Sequence, residues 1–370
     1  MRLYKMELYK LLYRKIFRIS MPAVLGILFA YFLLICVGEE RSTINGSLYT
    51  GFEAIRRDRE ITEEFRGILT DEKAGRIIEE YGFPSQVIEN YGGFRDENYL
   101  NGFVTEYLGN GYLKSWDDYR ISTGLRPLRE SELGKAAEAS GRAVILDYAK
   151  GWPAFLELLQ LGMILGSALV VAAASPVFSE EQQSRMAALL FTSREGREKD
   201  AFAKTAAAFT AAALIYIVIT SFIFLLVGVV YGFDGGECMS GMTLMQYGFY
   251  PASPVSLKST AFITFLMLSL DLLALFTLCA ITLCVSAHQK TAFHTVVLTF
   301  AVWTAPLLLR LLFNGAGYLL ASGTPLFLVM TGILADWYDM LFIPVSIAAC
   351  ILVCTAFSGW NAWRRAEANV

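Results

Sequence analysis

The common sequence motifs of catalytic sites are missing from this sequence of 370 residues. The sequence has no GxxxxGK[ST] loop for nucleotide phosphates, no HExxH helix for zinc and no GxSxG turn for a nucleophilic serine. The two histidines, His288 and His294, are six residues apart, and this spacing does not place them on one helix face as metal ligands. The six cysteines form no CxxC pair. The sequence therefore predicts no catalytic residue, no metal site and no cofactor bound by this chain itself.

One acidic residue and one charged segment stand out against an apolar background. Asp271 lies in the run MLSLDLLALF, where an ionisable group costs roughly 3 kcal/mol and must face protein or water. It is a candidate for a substrate pathway or a gate, and equally for a structural residue that hydrogen-bonds to a neighbouring helix. The second group is the segment 178–204, which joins two apolar runs and carries five acidic and five basic side chains.

The elements that must position these side chains are six apolar segments, each near the roughly 20 helical residues that cross a bilayer. They are residues 19–37, 155–177, 205–231, 259–285, 292–309 and 341–360. Hydrophobic residues make up 55% of the chain and charged residues only 18%, which is typical of a membrane protein. We therefore predict an all-α polytopic membrane protein with six transmembrane helices. Its basic residues form no stripe with interleaved aromatic residues, so nucleic acid is not expected as a partner.

Lys and Arg are concentrated on one side of the predicted spans. Residues 1–18, the 179–204 loop, the turn at Lys290 and the 361–370 tail together hold fourteen of them. The two short loops on the other side, 232–257 and 314–340, have only Lys258 and Arg310 at their edges. The positive-inside rule then predicts cytoplasmic termini and a cytoplasmic 178–204 segment. The expected location is a cell (plasma) membrane, in a bacterium, with residues 39–152 on the extracytoplasmic side.

The polar and short apolar segments have patterns of their own. In residues 1–18, Leu8, Leu11, Leu12 and Ile16 repeat at helical spacing and basic residues surround them, which predicts an amphipathic helix on the membrane lipid. Residues 39–152 are long enough for a separate core, and helical stripes predict a small α-rich domain, with one helix from about residue 130 to residue 150.

The apolar segment PLFLVMTGILA within 314–340 is too short to span and predicts a re-entrant or interfacial element. GMILG, at 162–166, permits close helix approach between copies or within one chain.

Two helix-start signals divide the 178–204 segment. Ser179 with Gln182, and Thr192 with Glu195, each match the capping box S/T-x-x-E/Q. They predict a helix from Ser179, a break, and a second helix that leads into the third span. Both charge signs and the apolar residues of the first helix suit docking into a groove of a soluble partner, and equally a helical hairpin on the membrane.

The arrangement resembles permease subunits of type-two ABC exporters with the ABCG-like membrane fold. Those proteins have a basic elbow helix, six spans and a re-entrant element between spans five and six. Between spans two and three they carry an acidic residue, a small residue, an LL-[ST] sequence, a basic residue and a lysine. In this chain those places are held by Glu180, Glu181, Ser184, Leu189, Leu190, Thr192, Ser193, Arg197 and Lys204. The chain departs from the family where Ser184 and Arg185 replace Gly-Thr and where the Pro after LLST is missing.

The resemblance implies that this segment is a coupling helix, which contacts a separately encoded ATP-binding cassette ATPase. The residues assigned to that contact are Glu180, Glu181, Arg185, Met186, Leu189, Leu190 and Arg197. It also implies a second permease copy or paralogue, and ATP and Mg²⁺ bound by the ATPase. The expected activity is outward transport, with an antimicrobial or signalling peptide as the first expectation for the substrate. The alternatives are a mechanotransmission or sensing protein that acts through its external domain, and a membrane-embedded enzyme.

Overall fold

The computed structural model describes residues 2–84, 96–109, 124–184, 186, 198–250 and 253–365. This part of the chain is mostly helical, and six of its helices are long and apolar enough to cross a membrane. We number them spans 1 to 6: Lys15–Val37, Gly151–Gln183, Glu198–Val230, Thr260–His288, Ala292–Phe313 and Phe342–Arg365. Each coincides with one predicted span to within a residue or extends beyond it, so the prediction of a helical membrane protein with six candidate spans is confirmed.

The chain divides into two compact units. One holds Met1–Leu28, Glu157–Ile223 and Leu266–Val370, and the other holds Phe29–Leu156 and Phe224–Phe265. The first unit contains the N-terminal helix Arg2–Leu12 and most of the apolar helices. We call it the span unit. The second contains the described residues between spans 1 and 2, and we call it the loop unit.

Glycines bring neighbouring helices of the span unit into close contact. A Cβ added at Gly162 would lie 2.9 Å from Ile219 Cγ2 of span 3, and one at Gly166 would lie 3.0 Å from Ile219 Cδ1. The GMILG sequence therefore packs span 2 on span 3 within this chain. Gly359 does the same between spans 6 and 4, because its Cβ would come 2.9 Å from the backbone of Cys284.

The apolar segment that follows span 5 is buried among the helices of the span unit. The helix of span 5 continues to Ser322, and Pro325–Leu328 and Ile333–Trp337 form two short helices after it. Leu326 packs in one cluster with Val171 of span 2, Leu278 of span 4 and Trp303 of span 5. Both the amide and the hydroxyl of Thr331 donate to Gln160 Oε1 of span 2, at 3.0 and 3.1 Å. This short apolar segment therefore packs against spans 2, 4 and 5.

The loop unit combines helices with two short antiparallel strand pairs. Its helices are Phe52–Phe65, Asp71–Tyr81, Tyr99–Leu108 and Glu132–Ala139, and its strand pairs are Arg41–Ile44 with Ser47–Thr50 and Gly67–Ile68 with Ile145–Leu146. Short helices Ser240–Thr243, Met245–Tyr247 and Pro254–Leu257 follow span 3. The helical stripes meet in one core that includes Phe65, Ile77, Leu100, Val104 and Leu133.

One local prediction for the loop unit is wrong, and one feature of it was not predicted. The helix expected from about residue 130 to residue 150 ends at Ala139, because Gly141 takes a left-handed conformation with φ +64° and the chain then forms the strand Ile145–Leu146. The strands were not expected, although Asn45 and Gly46, with φ of 51° and 73°, form the Asn-Gly turn typical of a two-residue hairpin.

Candidate functional site

Lys204, almost two turns into span 3, is the centre of a buried ionic cluster. Its side chain is 1% exposed, and Nζ lies 2.6 Å from Glu181 Oε1, 3.0 Å from Glu7 Oε1 and 3.2 Å from Asp200 Oδ1. A lysine in such a place needs close carboxylates, because removing an unpaired ammonium from water costs several kcal/mol. The three partners come from the N-terminal helix, the end of span 2 and the beginning of span 3. We call this group the Lys204 cluster.

Local sequence places each member of the Lys204 cluster. Asp200 and Lys204 are four residues apart on one helix face, which is the spacing of a helical ion pair. In the N-terminal helix, Glu7 and Lys10 are three residues apart, and Lys10 Nζ lies 3.7 Å from Glu181 Oε1. Two more charges extend the cluster at its edge, where Arg14 donates to Glu180.

The end of span 2 is fixed to the end of span 4 by hydrogen bonds. Ser286 Oγ donates to the carbonyl of Ser175 at 2.7 Å and accepts from the amides of Phe178 and Ser179, both at 3.1 Å. Gln182 Nε2 donates to the carbonyl of Ala287 at 3.0 Å. These bonds hold the helix Pro176–Gln183, which carries Glu180 and Glu181, against a neighbouring span.

The predicted capping box at Ser179 is wrong. The helix begins at Pro176, a residue favoured at the first helical position because it has no N–H to satisfy there. Ser179 is therefore inside the helix, and its hydroxyl donates to the carbonyl of Ser175 at 2.7 Å. The second predicted capping box, at Thr192 and Glu195, lies outside the described residues.

The residues assigned to a partner contact fall into three groups. Glu181 is buried in the Lys204 cluster and Glu180 is partly exposed at its edge, with side chains 10% and 46% exposed. Met186 is half exposed. The other assigned residues, Arg185, Leu189, Leu190 and Arg197, lie outside the described part of the chain. The two glutamates thus contact cations of their own chain, and their contact with a partner stays a prediction.

Asp271 is a separate candidate in the middle of span 4. It is 1% exposed, and neither carboxylate oxygen has a hydrogen-bond partner among the described residues. Tyr216 of span 3 donates to the carbonyl of Leu268, three residues before Asp271, at 2.8 Å. The carboxyl therefore lies inside the protein, as an intramembrane ionisable group must. No ion pair joins it to the Lys204 cluster within the described chain.

A second ionic network holds the beginning of span 2 in the loop unit. Lys150, just before the span, lies 2.7 Å from Glu40 Oε2 and 3.1 Å from Asp58 Oδ2, and Asp58 is fully buried. Asp58 also accepts from the hydroxyl of Ser42 at 2.6 Å and from the amide of Tyr99 at 3.3 Å. Burial alone would lower the pKa of Lys150, but Asp58 and Glu40 outweigh it and raise the pKa above its ordinary value of 10.5.

Sequence reasoning missed several members of these networks. Glu7 is the only acidic residue among residues 1–18, and this isolation could have marked it as a partner for a buried cation. Asp200 and Lys204 could have been paired by their spacing. No pattern in the sequence indicates that Glu7 meets Lys204, because 197 positions separate them.

Fold and site together define a helical membrane protein with six candidate spans and a buried ionic cluster where span 3 begins. Comparison with protein-family models, with curated proteins and with solved structures finds no match to this chain.

Proposed function

We propose that this chain is the permease subunit of an ATP-driven ABC exporter. It works with a second permease copy or paralogue and with a separate ATPase subunit, which binds ATP and Mg²⁺. The observation that carries this proposal is the Lys204 cluster, because it ties three elements together at the two ends of the charged segment between spans 2 and 3.

Coupling requires that a force on the connecting segment reaches the spans. The segment leaves span 2 directly after Glu180 and Glu181 and enters span 3 at Glu198 and Asp200. The buried ion pair between Glu181 and Lys204 ties its two ends to each other, and Glu198 also lies 3.0 Å from Arg364 of span 6, in an exposed pair. Displacement of the segment would therefore move spans 2 and 3 together, which is the mechanical property a coupling element needs.

The remaining assignments complete the proposal. The N-terminal helix is an elbow on the inner surface of the cell membrane of a bacterium, and both termini are cytoplasmic. Residues 39–152 form an extracytoplasmic domain. Asp271, buried within span 4, is a candidate pathway or gating residue. Export of a peptide, such as an antimicrobial or signalling peptide, is the first expectation for the substrate.

Purification from the native membrane tests this function. The chain, extracted in mild detergent, is expected to bring with it a soluble subunit with a nucleotide-phosphate loop and to show ATP hydrolysis. Charge reversal at partly exposed Glu180 should weaken the association, whereas reversal at Glu63, in the loop unit, should not. A chain that purifies without any ATPase, from membranes in which it is functional, would overturn the proposal.

A mechanotransmission or sensing role is the second candidate, and the Lys150 network favours it. Lys150 directly precedes the helix Gly151–Ala174 and is bound to Glu40 and Asp58 of the loop unit. A ligand that rearranged this network would act on the beginning of span 2. Such a protein would respond to a ligand of the loop unit without ATP-dependent transport, and this difference separates the two functions.

A further inference from the structure

Two neighbouring cavities lie in the loop unit along the exposed face of the helix Phe52–Phe65. The first has a volume of about 510 Å³. It is lined by Phe52, Arg56, Arg59, Glu60, Val229 and Val230. The second, of about 250 Å³, has Arg59 and Glu60 in its wall as well. Because these two side chains belong to both walls, we treat the cavities as one feature and call it the Arg59 groove.

The apolar end of the Arg59 groove lies where two spans end. Val230 is the last residue of span 3, and Val229 before it is 82% exposed. The hydroxyl of Tyr231 donates to the carbonyl of Cys36 at 2.6 Å, so span 1 ends beside span 3. Apolar side chains at the end of a span lie at the boundary between hydrocarbon and headgroups. The apolar wall of the first cavity therefore lies at the depth of the lipid headgroups.

The helix that begins at Phe52 directs a charged face to this groove. Arg56, Arg59 and Glu60 follow Phe52 by four, seven and eight residues, which places all four on one helix face. Phe52 is 55% exposed and extends the apolar wall formed by span 3. A Cβ added at Gly232 would lie 3.1 Å from Nη2 of Arg59, so this guanidinium lies next to the backbone just beyond span 3.

The groove changes charge along its length. The first cavity has two arginines and one carboxylate in its wall, whereas the second has one arginine and four carboxylates. These four are Glu60, Glu63, Asp147 and Asp234. From the end of span 3 outward, the wall is therefore apolar, then rich in guanidinium groups, then rich in carboxylates. An amphiphile with an apolar body, an anion and a terminal cation matches this order.

The charged groups of the groove can exchange their present partners for those of a ligand. Arg59 Nη2 lies 2.9 Å from Asp234 Oδ2, and Arg56 Nε lies 3.8 Å from Glu60 Oε1. All four side chains are more than one-third exposed. Exposed ion pairs of this kind contribute little to stability, so replacing one of them by a contact with a ligand costs little.

We propose that the Arg59 groove binds a phospholipid whose headgroup carries a phosphodiester and a primary ammonium, as that of phosphatidylethanolamine does. Arg56 and Arg59 donate to the phosphate oxygens, which match the fork of a guanidinium. Glu60 accepts from the ammonium, and the first acyl carbons lie against Phe52 and Val229. The site requires only that span 3 lies in a membrane, so it is independent of a transport function.

Native mass spectrometry of the full chain in a non-ionic detergent, titrated with lipids of identical acyl chains, tests the site. Phosphatidylethanolamine should bind roughly three- to tenfold more tightly than phosphatidylcholine, whose methylated ammonium has no N–H for Glu60. It should exceed phosphatidylglycerol, which has no cation, by a similar factor. Equal binding of the three lipids would overturn the proposal. Glycerophosphoethanolamine, the same headgroup without acyl chains, should not displace the lipid at equal concentration. If it does, the groove binds a soluble phosphate ester and the proposal is wrong.

Three variants test the roles of the side chains. Arg59→Gln should weaken the binding of phosphatidylethanolamine roughly three- to tenfold, whereas Arg129→Gln, an exposed arginine of the loop unit outside the groove, should not. Glu60→Gln should still bind phosphatidylcholine but lose the preference for phosphatidylethanolamine, which a merely structural role of Glu60 would not change. Equal losses in the two arginine variants, or a preference that persists in Glu60→Gln, would contradict the proposal.

Discussion

Lys204→Met removes the buried cation that contacts Glu7, Glu181 and Asp200, and it keeps an unbranched side chain. The three carboxylates are 15%, 10% and 3% exposed, so little water can replace the lost ammonium. Breaking a buried ion pair by removing one partner costs about 3–5 kcal/mol, because the remaining charge stays buried and uncompensated. We expect the free energy of unfolding to fall by about that amount, measured by denaturant titration in mild detergent with tryptophan fluorescence.

Two further variants separate this effect from general damage. Arg364→Met breaks the pair with Glu198, whose partners are 43% and 66% exposed, and should cost no more than about 1 kcal/mol. Adding Glu181→Gln and Asp200→Asn to Lys204→Met should restore at least half of the loss, because neutral amides are much cheaper to bury than carboxylates. A loss in Lys204→Met no larger than in Arg364→Met, or no recovery in the triple variant, would refute the reasoning.

Three further predictions concern other parts of the chain. Lys150 has a raised pKa in the folded state, so its contribution to the free energy of unfolding should be complete below pH 10.5 and be lost as pH rises through the raised pKa. Denaturant titrations across this pH range should show the free energy of unfolding decrease, and Lys150→Met should not show this decrease. Gly46→Ala should destabilise by about 1 kcal/mol because of its φ of +73°, whereas Gly75→Ala, in a helix with no neighbouring atom within 4 Å, should stabilise by about 0.5–1 kcal/mol. Asp271→Asn should leave the free energy of unfolding unchanged or higher, since a neutral amide is cheaper to bury, but reduce transport; a fall in stability would make its role structural.

The spans could be predicted from the sequence because crossing a bilayer takes about 20 predominantly apolar residues, which is a long and easily recognised signal. Their ends could not, because the helices continue past the apolar stretch into charged residues such as Lys15, Glu198 and Arg365. In the loop unit, helical stripes predicted an α-rich domain, and the helix Tyr99–Leu108 is one of its helices, since a 3.6-residue period is visible within a single segment. Ser140 and Gly141 ended a helix that composition alone would have continued.

The candidate site could be predicted only in part, because its contacts join distant segments. The four-residue spacing of Asp200 and Lys204 predicts that these two side chains form an ion pair. The contacts of Lys204 with Glu7 and Glu181 depend instead on how the N-terminal helix packs. The capping-box pattern at Ser179 failed for a related reason. The hydroxyl that binds the amides of this helix comes from Ser286 of span 4, and a local pattern contains no information about it.

Crosslinking from Met186 tests the proposed function most directly. Met186 is 50% exposed and lies in the segment assigned to the ATPase, whereas Leu48, 58% exposed, lies in the segment assigned to the opposite side of the membrane. With a photoreactive group placed at each position in turn, in native membranes, position 186 should crosslink to a nucleotide-binding subunit and position 48 should not. A crosslink to such a subunit from position 48, or none from position 186, would contradict a coupling role for the segment between spans 2 and 3.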